Sequence, residues 1–140
     1  DHIQKQDIIA KLRKDFALAN WTSITQDEYL TFYAWKFKEL KTLDQIIEES
    51  KIFRNCLAAS YAQRIIEGEY VVFHVSHTDM SIDMLLGCLL RNGHLVFDQL
   101  EYPNNQKAEA EYRNMAIHFT TWFNQRPSLS QPVIDLDKDA

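Results

Sequence analysis

The chain has 140 residues, 46% of them hydrophobic and 12% aromatic, with only three glycines and three prolines. A chain of that length buries roughly two thirds of its unfolded surface around one core, and that composition excludes a disordered or collagen-like protein. Twenty acids against fifteen bases leave a net charge of −5, which speaks against a nucleic-acid partner, since such affinity is built on neutralised phosphates.

In chain order, the first predicted element is a helix over residues 3–19, with Ile8, Ile9, Leu12, Phe16 and Ala19 on one face and charged residues opposite. The aromatic stretch 29–38 reads as a strand in which Tyr33, Trp35 and Phe37 alternate with Lys36 and Lys38. A helical reading competes with it: Thr25 and Glu28 form a possible capping box, and Phe32 and Trp35 would then be left exposed as a contact surface. Thr42 and Gln45 punctuate the start of a second helix at about 43–67, and Gly68 suits its left-handed end.

The segment YVVFHVS has the β-branched and aromatic content of a strand. Next comes a hairpin over 84–102, because Asn92-Gly93 tolerates the positive φ angles of a type I′ turn. That turn sets Arg91 opposite His94, Leu90 opposite Leu95, Leu89 opposite Val96, Cys88 opposite Phe97 and Leu86 opposite Gln99, with Gly87 opposite Asp98 as a bulge candidate. A last helix spans 105–125, with Ala108, Tyr112, Met115, Phe119 and Trp122 on one face and Pro127 beyond its end. Residues 1–127 then form one globular domain, and 128–140 a loosely attached acidic arm.

Candidate chemistry is sparse. FHVSHTDM, residues 73–80, carries His74, His77 and Asp79, but residues three apart in a strand face opposite ways, so no metal site is expected. His118 beside Met115 and Trp122 reads as a packing histidine with no acid to make it a base, and no catalytic residue is expected. The chain has no Gly-rich phosphate loop, Gly-x-Ser-x-Gly, His-Glu-x-x-His or Cys-x-x-Cys pattern. Cys56 and Cys88 read as buried hydrophobes rather than a disulfide or a nucleophile. No cofactor is implied.

Charge is unevenly spread: ten bases and nine acids precede Glu67, and five bases and eleven acids follow from it. Asp79, Asp83, Asp98 and Glu101 gather toward the open end of the hairpin, as a solvated edge or as an acidic rim for a basic partner. No apolar run approaches the ~20 residues that cross a bilayer. An opening on Asp1 rather than Met fits a periplasmic or secreted protein after leader removal, and fits a trimmed cytoplasmic domain equally.

The expected architecture is α+β: a mainly antiparallel sheet of three or four strands, the 84–102 hairpin at its centre, packed by about three helices. The expected function is non-catalytic protein binding, as by a small inhibitor, chaperone or adaptor, with Phe32, Tyr33, Trp35, Asp98 and Glu101 as contacts, a basic partner surface and a possible homodimer. The alternatives are a ligand-binding or enzymatic pocket lined by Phe73, His74, Phe97, Tyr112, His118 and Trp122, and a structural envelope protein.

Overall fold

A computed structural model describes residues 2–16, 21–55 and 57–126. The fold is α+β and antiparallel, but it has six strands rather than three or four, and four α-helices among the described residues. Six strands arise because the 29–38 stretch is a hairpin of two, β1 (Leu30–Phe32) and β2 (Trp35–Glu39), and because a two-residue strand β6 (Gln106–Lys107) precedes the last helix. The sheet runs β1-β2-β3-β4-β5-β6, with β3 at Tyr70–His77, β4 at Asp83–Arg91 and β5 at His94–Tyr102. Every neighbour in that order is also a neighbour in sequence, so the hairpin expected at the centre stands one strand off it. The middle pair is β3–β4.

Alternation along β3 sends Val71, Phe73 and Val75 to one face and Tyr70 and Val72 to the other. The first face is covered by helix α4 (Ala110–Gln125), where Phe119 stacks on Phe37 with centroids 3.7 Å apart, among Phe73, Phe32 and Trp122. The second face is covered by α2 (Leu43–Phe53) and α3 (Leu57–Ile66) through Ile46, Ile47, Phe53, Leu57 and Ile65. Helix α1 (His2–Asp15) adds Ile9 and Leu12 to this cluster, while Ile8 is 41% exposed.

The helix expected over 43–67 is two helices. Thr42 caps α2 by accepting from the Gln45 N–H at 3.1 Å, and the Gln45 side chain accepts from the Lys41 N–H at 2.6 Å, one residue before the capping-box partner. Arg54 then takes φ 52°, which ends α2. Asn55 bridges the break, its Oδ1 accepting from Leu57 N–H while the Ser50 hydroxyl donates to its carbonyl. Gly68, at φ 80°, closes α3: its N–H donates to Ile65 O and that of Glu69 to Arg64 O, the two bonds of a Schellman ending.

In the β4–β5 hairpin, Asn92 and Gly93 have φ 53° and 78°, and the four expected pairs from Arg91–His94 to Cys88–Phe97 form. Beyond them the expected pairing of Leu86 with Gln99 is wrong by one residue. Asp98 is an extra, bulged residue, so Gly87 meets Gln99 and Leu86 meets Leu100. That slip turns Leu100 back into the α4-side core after Leu95 and Phe97. The expected arm at 128–140, Ala19 and Cys56 lie outside the described residues; Cys88 is a free, buried thiol whose pKa burial pushes up. No described helix is long and apolar enough to cross a membrane.

Candidate functional site

The α2–α3 face of the sheet carries the polar chemistry of the molecule. Pairing of β2 with β3 sets Lys38 beside His74 and Lys36 beside Ser76, with all four side chains on this face. Alternation makes this inevitable once Phe37 and Val75 are committed to the opposite core. Helix α2 stops short of covering this square, leaving a cleft of about 500 Å³ with Tyr29 on one side and Gln45, Glu48 and Glu49 of α2 on the other.

His74 is held at both ring nitrogens by carboxylates. Its Nδ1 is 2.6 Å from Glu49 Oε1 on α2, and its Nε2 is 2.8 Å from Asp83 Oδ1 at the start of β4. A neutral imidazole has one N–H, so only the imidazolium donates to both acids. The bond to Glu49 raises the His74 pKa above its ordinary 6.5, burial pulls it down, and Asp83 adds to the rise; the net direction is up. Phe53 lies edge-on to the ring with centroids 5.5 Å apart, closing the core side of the clamp. An imidazolium engaged in this way has no lone pair to act as a base or to bind a metal.

A second cleft, about 250 Å³, lies on the same face beyond α3, between Tyr61 and the β4–β5 bulge, with Gln99, Glu101 and Asn105 at its border. Here the Tyr70 hydroxyl donates to Asp98 Oδ2 at 2.6 Å, and Tyr61 stacks on Tyr70 at 4.8 Å under the Arg64 guanidinium. The glycine at 87 is required by this contact: a Cβ there would run into the Tyr70 hydroxyl and stand 2.8 Å from its Cζ. Burial raises the Glu101 pKa, Lys107 across the β5–β6 pair opposes it, and Asp98 adds to it.

The expected contact residues are distributed as follows. Phe32 packs on Phe119 and Trp122, and Trp35 is 8% exposed against Tyr112 and His77, so the Trp35 indole is core rather than an exposed anchor. Tyr33 is 86% exposed. Asp98 and Glu101 belong to β5, three strands from β2, and Asp98 is engaged by Tyr70 rather than facing a rim. The six residues of the expected pocket do not surround one cavity. Phe73 is fully buried, Phe97, Tyr112 and Trp122 pack on the α4 side, His118 is exposed, and His74 lines the cleft on the opposite face.

In FHVSHTDM, His77 turns to the Trp35 side and its Nδ1 accepts from the Asp79 and Met80 N–H groups at 3.0 and 3.1 Å, closing the β3–β4 loop. Among the described residues no three histidine, cysteine or acidic side chains are grouped to hold a metal. Sequence reasoning did not single out Glu49, and took the Lys36–Lys38 pair only as the residues that alternate with aromatic ones along a strand. The period-two spacing of the lysines was the signal, but only the β2–β3 register says what stands beside them.

A further buried acid was missed altogether. Glu39, 2% exposed at the end of β2, accepts from the Ile24 and Thr25 N–H groups at 3.1 and 3.2 Å and straps the segment before β1 to the sheet. Burial raises its pKa, and these two bonds and Lys41 oppose the rise. No family model, curated protein or solved structure matches the chain.

Proposed function

We propose that this chain is a non-catalytic protein-binding module that docks its partner at the end of the sheet formed by the β1–β2 turn and the β3–β4 loop. The observation that carries this reading is Tyr33: it is 86% exposed and sits at φ 55° in the turn. The left-handed region costs an ordinary L-residue roughly 1–2 kcal/mol. Glycine meets the same backbone demand without the penalty and without displaying a phenol ring to water. Strain of this kind, with only an edge contact to the Phe32 ring at 4.8 Å gained in return, points to use rather than to architecture.

The surroundings of Tyr33 support the reading. The Thr78 N–H donates to Ala34 O at 2.9 Å, which ties the two loops together and puts Met80, 44% exposed, at the same end. The antiparallel order brings Asp79, Asp83, Glu101, Glu109 and Glu111 to this end as well, against Lys36 in the row of Asp83, Lys38 in the row of Glu101, Lys107, and Arg113, which is turned inward onto Ala108 O. An aromatic anchor inside an acidic rim suits a partner with a basic surface, the rim steering the encounter and the anchor holding it.

A photo-crosslinking residue placed at Tyr33 tests the proposal, with Ile117, 40% exposed on the outer side of α4, as control. A discrete adduct in the host cell from position 33 and none from 117, diminished by Asp79→Lys with Glu111→Lys, is expected. Equal adducts from both positions, or none from 33, would overturn it.

A further inference from the structure

We infer that the cleft between α2 and the β1–β2 edge is a binding site for a small oxyanion-bearing molecule, carboxylate or phosphate, with Lys36 and Lys38 as its cationic contacts and Ser76 as a neutral donor. The cleft lies on the α2 face of the sheet, and its Lys36, together with the Asp83 that holds His74, stands in the row of residues next to the Tyr33 end. Three observations combine.

The first is placement. Lys36 and Lys38 are two residues apart on β2, about 7 Å along the strand, and both line the cleft together with Ser76 and His74. Two flexible ammonium stems rooted that far apart converge easily on one anionic group.

The second is the allocation of charge. Two acids line the same cleft, Glu48 and Glu49, and Glu49 is committed to His74, whose other ring nitrogen is held by Asp83 from outside the cleft. Among the described residues Lys38 has no carboxylate or carbonyl partner, and Lys36 has only the Tyr29 ring, 4.8 Å from its Nζ. Two lysines are thus unneutralised in a concavity, beside an imidazolium whose own charge is already met. Glu48 is the acid left, exposed on α2 at the cleft's border.

The third is shape. A volume of about 500 Å³ lies within the range of small-molecule sites. Tyr29, itself 43% exposed, and Leu40 offer apolar surface for the body of the ligand, while the charged floor takes its head. The His74 clamp serves this site indirectly, by pinning α2 to β3 and β4 so that the wall keeps its distance from the floor.

The test is an amide chemical-shift titration of the whole chain at low ionic strength with inorganic phosphate, acetate and benzoate in turn. Saturable shifts confined to residues 36–38, 45–49 and 74–76 are expected, with millimolar affinity weakened about tenfold or more by Lys36→Gln with Lys38→Gln and left unchanged by Lys51→Gln on the outer side of α2. Glutamine keeps most of each stem, and spectra that match wild type away from the cleft verify that the double variant is folded. Phosphate alone saturating identifies a phosphate ligand, and the carboxylates alone a carboxylate one. Benzoate binding more tightly than acetate identifies Tyr29 as the wall for an apolar body. Absence of saturation with all three probes, or an affinity indifferent to the loss of both lysines, would overturn the assignment.

Discussion

The two faces of the sheet are covered in opposite ways. One helix, α4, seals its face with rings: Phe37, Phe73, Phe119 and Trp122 meet there, and α4's polar contact to that face is Asn124, whose amide holds both backbone groups of Leu95 at 2.8 and 2.9 Å. On the other face two short helices cover the middle strands, and the flanks they leave uncovered become clefts, one lined by His74 and Glu49 with Lys36 and Lys38, the other by Tyr61, Gln99 and Glu101 next to the Tyr70–Asp98 bond. Dry packing contributes stability in proportion to area and specifies little else. The polar face holds groups whose geometry is costly to keep unless each is partnered, and no buried side-chain nitrogen or oxygen among the described residues is left unpaired. Stability and recognition are therefore separable, and substitutions on the two faces should fail differently.

The largest effect is expected on the dry face. Phe119→Ala removes a fully buried ring stacked on Phe37, and should cost about 3–5 kcal/mol in urea denaturation while any phosphate affinity of the surviving folded fraction is kept. Next is Gly87→Ala, which drives a methyl group into Tyr70 and breaks its bond to Asp98. A loss of about 1–3 kcal/mol is expected. Near-wild-type stability for Gly87→Ala would mean that the Tyr70–Asp98 contact is not what fixes the bulge.

The His74 clamp gives a smaller, pH-dependent effect. Its folded pKa lies above the ordinary 6.5, so the stability it contributes is fully present below about that pH and is lost as pH rises through the folded value. Denaturation midpoints should therefore fall as pH rises above about 6.5, and His74→Gln should flatten that part of the profile at a cost of about 1–2 kcal/mol at pH 6. The groups facing the ring are Glu49 from α2, Asp83 from β4 and Lys38 from β2. A slope that survives in His74→Gln would assign the titration to another residue.

This division of labour was only half legible in the sequence. Local signals read well where one residue forces the backbone: Asn92-Gly93 fixed four cross-strand pairs, Gly68 ended α3, and Thr42 started α2. Reading failed where the deciding partner is remote. The Asp98 bulge depends on a tyrosine 28 residues away, and the site at His74 depends on Glu49, 25 residues back, and on a β2–β3 register that no turn encodes. The 29–38 stretch was contested because an aromatic residue recurs at both helical and strand spacing. What decided it is a turn at Tyr33-Ala34, invisible because neither residue is a turn former.

That turn supplies the smallest stability effect and the sharpest comparison. Tyr33→Gly replaces an L-residue at φ 55° by the one residue that accepts it freely. With the ring 86% exposed, little packing is lost apart from its edge contact to Phe32 at 4.8 Å. The variant should be as stable as wild type or more stable by about 0.5–1 kcal/mol, and the photo-adducts formed from a probe at Met80 should disappear. Tyr33→Phe, which keeps both the strain and the ring, should keep those adducts. A substitution that stabilises the fold while abolishing docking is the pattern of a residue retained for contact. Were Tyr33→Gly instead clearly destabilised, the ring would be an architectural part of the hairpin, and the strain at residue 33 would carry no functional meaning.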